Sequence, residues 1–173
     1  DISKANLNIY GVTASAKVYD TTAVAALTGA ARVRALGIDS VALGGTAMAM
    51  FADKNVAANK AVTVTGYTLS GDDGGNYNLI QPAALSADIS KASLAVTGLN
   101  ATHKVYDGVL SAHLAGIAKV DALGADNVAL AGAGSAVFAD KNVALNKTVA
   151  VAGYRLTGAD GDNYTLVQPL GLT

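Results

Sequence analysis

The sequence predicts an all-β (mainly β) chain built as two tandem modules. Three observations carry that expectation: a repeat that spans the chain, an acidic complement made only of Asp, and apolar residues that alternate with polar ones. Displacing the sequence against itself by about 87 residues aligns the two halves without a gap, and more than half of the aligned pairs are identical. The expected domains are therefore residues 1–87 and 88–173. Gapless matching is unusual because loops drift in length, so the halves read as a recent duplication within a longer array.

Each element follows in order. Leu7-Asn8-Ile9 and its copy Leu94-Ala95-Val96 alternate as a first strand. Residues 23–41 are Ala-rich with Arg32 and Arg34; strands are expected there, with a short turn near Gly37-Ile38-Asp39. Residues 62–69 and 149–156 alternate most clearly, and differences such as Thr65 against Ala152 fall between retained apolar positions. Gly71-Asp72-Asp73-Gly74-Gly75-Asn76 and its copy are turns, because Gly, Asp and Asn tolerate positive φ. Tyr77-Asn78-Leu79 and residues 85–89 supply further short strands. No Gly, Pro or polar spacer separates residues 85–94, so one module is expected to run directly into the next and to stack end to end as an elongated rod. The second module is expected to lack its final edge strand, with Asp1-Ile2-Ser3 of a neighbouring molecule filling the gap.

Composition narrows the function. Hydrophobic residues reach 51% while aromatics are only 5%, so Ala, Val and Leu must fill thin cores. The 13 acidic residues are all Asp; Asp favours turns where Glu favours helices. A net charge of −1 leaves no basic face for nucleic acid or membrane surfaces, and no apolar run is long enough to insert in a bilayer. The absence of Cys suits a chain exported unfolded.

Lys17-Val18-Tyr19-Asp20 recurs as Lys104-Val105-Tyr106-Asp107, followed by Gly108. Phe51-Ala52-Asp53-Lys54-Asn55-Val56 recurs from Phe138, and Gly74, Asn76, Tyr77 and Leu79 recur as Gly161, Asn163, Tyr164 and Leu166. This ordered set, which spans nearly all of both copies, resembles the YDG-type repeat of large bacterial surface adhesins, including filamentous-haemagglutinin-like exoproteins of two-partner secretion systems. The resemblance implies an extracellular, cell-surface repeat with adjacent repeats of the same polypeptide as partners, in a stalk or adhesin, and β-sandwich-like or β-grasp-like modules remain equally open. The first copy departs from it by carrying Thr21 where the second has Gly108, so the turn there is not expected to need positive φ.

Tyr19 and Tyr106 are expected to be packed tyrosines, and Asp20 and Asp107 Asx-turn residues rather than general bases, since no paired partner is in view. For Asp53-Lys54-Asn55 and Asp140-Lys141-Asn142 three readings stay open: a polar turn, a recognition loop, or a Lys–Asn isopeptide crosslink. Adjacent Lys and Asn would point to opposite faces of a strand, which argues against the crosslink. Asp72 becomes Ala159 in the second copy, so a retained Ca²⁺ ligand set is not expected. His103 and His113 occur in one copy only and read as surface variation. No catalytic residue, metal or cofactor is expected. The function expected is a structural stalk or spacer in a monomeric fragment. The alternative is an adhesive module that recognises glycan, mucin or another surface protein through Tyr10, Tyr67 or Tyr154.

Overall fold

The computed structural model describes Asp1–Thr173. It is built of β-strands and two 3-10 turns, with no α-helix. The chain divides into two compact units, Asp1–Ser90 and Lys91–Thr173. The division falls after Ser90 rather than after residue 87 because the last strand of the first unit runs on to Ser90.

The first unit contains β1 (Ala5–Asn8), β2 (Tyr10–Ala14), β3 (Lys17–Val18), β4 (Leu27–Arg32), β5 (Ala42–Phe51), β6 (Ala57–Ser70), β7 (Tyr77–Ile80) and β8 (Leu85–Ser90). Neighbouring segments pair antiparallel, β2 with β4 and β5 with β6. Sequence-distant strands pair parallel, β1 with β7 and β3 with β8. In the four-stranded sheet β8 lies between β3 and β6. Alternation along β6 sends Val62 and Val64 inward and Thr63 and Thr65 outward. The core of this unit includes Leu7, Tyr19, Phe51, Val62, Val64 and Tyr77, and Ile89 of β8 is its most buried side chain at 1% exposure.

The second unit repeats the plan with β9 (Ala92–Ala95), β10 (Thr97–Ala101), β11 (Leu114–Lys119), β12 (Ala129–Ala131), β13 (Ser135–Phe138), β14 (Val149–Ala152), β15 (Arg155–Thr157) and β16 (Tyr164–Val167). Parallel β9–β16 matches β1–β7, and antiparallel β10–β11 matches β2–β4. Only Lys91 separates β8 from β9.

Two local devices recur. Where β2 crosses β4 the register slips, and Gly11 and Gly29 sit at φ +85° and +90°. A Cβ on Gly29 would collide with the Gly11 carbonyl oxygen, so the bulge demands Gly for space as well as for φ. Gly98 and Gly116 repeat the crossing. The second device is a tyrosine latch. The Tyr77 hydroxyl donates to Asp39 Oδ2 at 2.6 Å and accepts from the Leu36 amide at 2.9 Å, which closes the Leu36–Asp39 turn. Tyr164 does the same with Asp126 Oδ2 at 2.7 Å and the Leu123 amide at 3.0 Å. The Asp39 carboxylate, by accepting that hydroxyl bond, raises the Tyr77 pKa above the usual phenol value. Residues 23–41 accordingly hold β4 and a hydrogen-bonded turn, with Asp39 N–H donating to the Leu36 carbonyl.

The units differ at one end. Residues 104–105 and 144–148, which correspond to β3 and the start of β6, lie outside strands in the second unit. Of β8 only an isolated bridge, Leu172 to Val149, has a counterpart; it matches Leu85 paired with Val62. Tyr106 is consequently 56% exposed where Tyr19 is 2% exposed.

Candidate functional site

The two motifs that stand out in the sequence meet at one end of each unit. In the first, β3 opens into a tight turn. The Asp20 carboxylate accepts the Thr22 amide at 2.9 Å, an Asx turn, and the Lys17 ammonium at 2.7 Å. Lys17 Nζ also donates to the Thr22 carbonyl at 2.8 Å and lies 5.7 Å from the centre of the Phe51 ring. A half-hidden ammonium with its donors engaged is a structural clamp. In the second unit Lys104 Nζ donates to Asp107 at 2.7 Å and to the carbonyls of Val109 and Ser111 at 2.8 and 2.9 Å.

The turn itself departs from expectation. Thr21 has φ +70° and Gly108 has φ +83°, so both copies need the left-handed region. The Lys–Asp clamp fixes the path on either side and forces a β-branched residue into it.

The Asp53-Lys54-Asn55 loop follows Phe51. Asp53 Oδ1 accepts the Asn55 amide at 2.7 Å and Lys60 Nζ at 2.5 Å, and Lys60 Nζ also donates to the Asn55 carbonyl at 2.6 Å. Lys60 is nearly buried, with 8% side-chain exposure, so the loop is tied down from beneath. In the second unit Lys147 binds the Asp140 carboxylate and the Asn142 carbonyl, and Asp140 Oδ1 accepts the Asn142 amide at 2.7 Å. Lys54 does not project freely; its ammonium is 5.8 Å from the Tyr19 ring centre. In the second unit the counterparts Tyr106, Asp140, Lys141 and Asn142 line a groove together with His103 and Lys147.

Electrostatics follow the clamps. At Asp53, Asp107 and Asp140 the hydrogen bond from the lysine is the leading cause that holds the carboxyl below the ordinary carboxylate range. At Asp20 burial works against ionisation, but Lys17 and the Thr22 amide outweigh it and the pKa is again lowered. Anionic carboxylates already engaged by ammonium groups are poor proton acceptors near neutral pH.

Other motif residues are engaged as well. Asp73 Oδ2 accepts the Ser40 amide at 2.8 Å, and Asp160 Oδ2 accepts that of Asn127 at 2.9 Å. Of the aromatic trio, Tyr10 is half exposed, while Tyr67 and Tyr154 are partly buried with their backbone carbonyls bonded to Gln81 and Gln168. Sequence reasoning missed Lys60 and Lys147 as the holders of the loops. The available signal was the recurrence of Asn59-Lys60 as Asn146-Lys147.

These features define a mainly-β tandem repeat whose retained polar residues are used in turns. Residues 3–85 and 90–170 each match the YDG domain, and the chain belongs to that family. No curated protein and no solved structure matches the chain.

Proposed function

We propose that these two YDG repeats are structural stalk or spacer modules of an extracellular bacterial adhesin, holding a distal binding domain away from the cell surface. The observation that carries the reading is the use of the retained polar residues. Lys17, Asp20, Asp53 and Lys60 bond one another and local backbone, and their copies do the same. Residues kept for recognition would instead present unengaged donors and acceptors at the surface. The near-neutral charge, −1, also supports a spacer, since it limits nonspecific electrostatic adhesion.

The test is replacement. Exchanging the pair for an unrelated spacer of equal reach in the surface-displayed parent protein should leave adhesion intact. Shortening the spacer should reduce adhesion. Loss of adhesion in the equal-reach chimera, with display unchanged, would overturn the reading. It would favour the adhesive-module alternative, which a glycan and mucin array on the isolated chain would then reveal directly.

A further inference from the structure

The polar residues that both units share are engaged in turns, but the first unit carries another set that is neither shared nor engaged. Alternation along β1 and β2 buries Leu7 and Ile9 and turns Asn6, Asn8 and Tyr10 to the surface. Asn78 of β7 is the partner of Asn6, and Arg32 of β4 lies opposite Tyr10, so paired side chains share the outer face. Arg34 follows two residues on and is exposed as Arg32 is. Tyr10 is 50% exposed. None of these six side chains has a hydrogen bond or ion pair within the chain.

The second unit is a built-in contrast. At the places of Asn6, Asn8, Tyr10, Asn78, Arg32 and Arg34 it has Ser93, Ala95, Thr97, Thr165, Lys119 and Asp121. Ser93, Ala95 and Thr97 are exposed as well, so exposure at these positions belongs to the module. The amides and the ring are gone, and the Lys119 ammonium meets the Asp121 carboxylate at 3.2 Å, which cancels its charge. In the first unit Arg32 and Arg34 set like charges near one another with no acid paired to either, an arrangement that a bound anion relieves.

We propose that this face of the first unit binds a linear polyuronate, an acidic polysaccharide with a carboxylate on each successive ring. The guanidinium forks take carboxylates in bidentate fashion. The Tyr10 ring supplies a flat wall for the C–H face of a sugar, and the Asn amides offer both donor and acceptor to its hydroxyls. Asn6 to Tyr10 spans about 13 Å of extended chain, which suits several rings rather than one. Two guanidinium groups in succession likewise match repeated carboxylates, where a terminal sialate presents one. The inference goes beyond the spacer reading and does not rest on it, since it concerns residues that one copy alone carries.

The experiment titrates the chain with a hexamer of galacturonate and follows amide chemical shifts alongside calorimetry. Saturable binding is expected, with shifts at Asn8, Tyr10 and Arg32 and none at Ala95, Thr97 and Lys119. Affinity should fall about tenfold or more in Tyr10→Thr and in Arg34→Asp, and added salt should weaken it. Each variant installs the residue that the second copy carries at the same place, so the strands are preserved. Absence of saturable binding, or binding untouched by both variants, overturns the site. Equal binding of a neutral glucose hexamer overturns the carboxylate, and preference for sialyllactose overturns the polymer. Equal binding of dextran sulfate overturns the uronate in favour of a bare polyanion contact.

Discussion

Replacing Thr21 with Gly isolates the strain in the Lys-Val-Tyr-Asp turn. Thr21 sits at φ +70°, where a side chain with a Cβ costs about 1–2 kcal/mol relative to the right-handed regions. Gly removes that cost but widens the unfolded ensemble, which offsets about 0.4–1 kcal/mol. The net expectation for Thr21→Gly is a gain of about 0.5–1 kcal/mol in the first unit, a shift of a few degrees in its melting temperature for a unit of this size. The clamp from Lys17 to Asp20 and Thr22 uses groups outside residue 21 or main-chain atoms, so it should persist. Hydrogen exchange at the Tyr19 and Phe51 amides, both bonded across the unit, reads the opening free energy of this unit separately. Gly108→Thr supplies the reverse experiment, with a comparable loss. A neutral or destabilising Thr21→Gly would refute the reasoning. An equal gain from Thr21→Ala would also refute it, because Ala keeps the Cβ.

Three other perturbations probe the bulge, the tyrosine latch and the lysine clamps. Gly29→Ala should cost more than about 2 kcal/mol, since it adds a collision with the Gly11 carbonyl to a forbidden φ; urea titration followed by circular dichroism measures it. Tyr77→Phe should cost about 1–3 kcal/mol, because the Leu36 amide and Asp39 carboxylate lose their shared partner, and exchange at Leu36 should accelerate most. Stability should depend on acid with a definite sign: Asp20, Asp53, Asp107 and Asp140 have folded pKa values below the unfolded value of about 3.9. The unfolded chain therefore binds more protons in that window. Stability from these groups is complete above that value and is lost as pH falls through the lower folded values. Asp53→Asn should flatten part of this dependence in an acid titration, and an unchanged profile would count against the clamp.

Much of the strand pattern was legible because it is local. Alternation in residues 62–69 places Val62 and Val64 inside, as β6 does, and Gly71 to Asn76 form the turn their composition indicates. The Gly37-Ile38-Asp39 turn was legible too, although the Tyr77 latch across it was not, because that bond joins residues far apart in sequence. The loop lysines were hidden for a similar reason. Lys60 reaches Asp53 past a register shift in β6 at Asn59, φ +50°, and the recurring Asn59-Lys60 pair marks that shift without showing which acid the lysine meets. The Thr21 turn misled because composition reports preference, while the clamp around it dictates conformation.

The parallel pairings of the first unit set the order in which it can become complete. Ala5 pairs with Tyr77, and Lys17 pairs with Ile89, so the earliest strands wait for the last ones. The unit cannot seal until Ser90 is available to pair, and only Lys91 separates that residue from the start of β9. Closure of such long loops is slow, so the first unit is expected to gain its parallel pairings last.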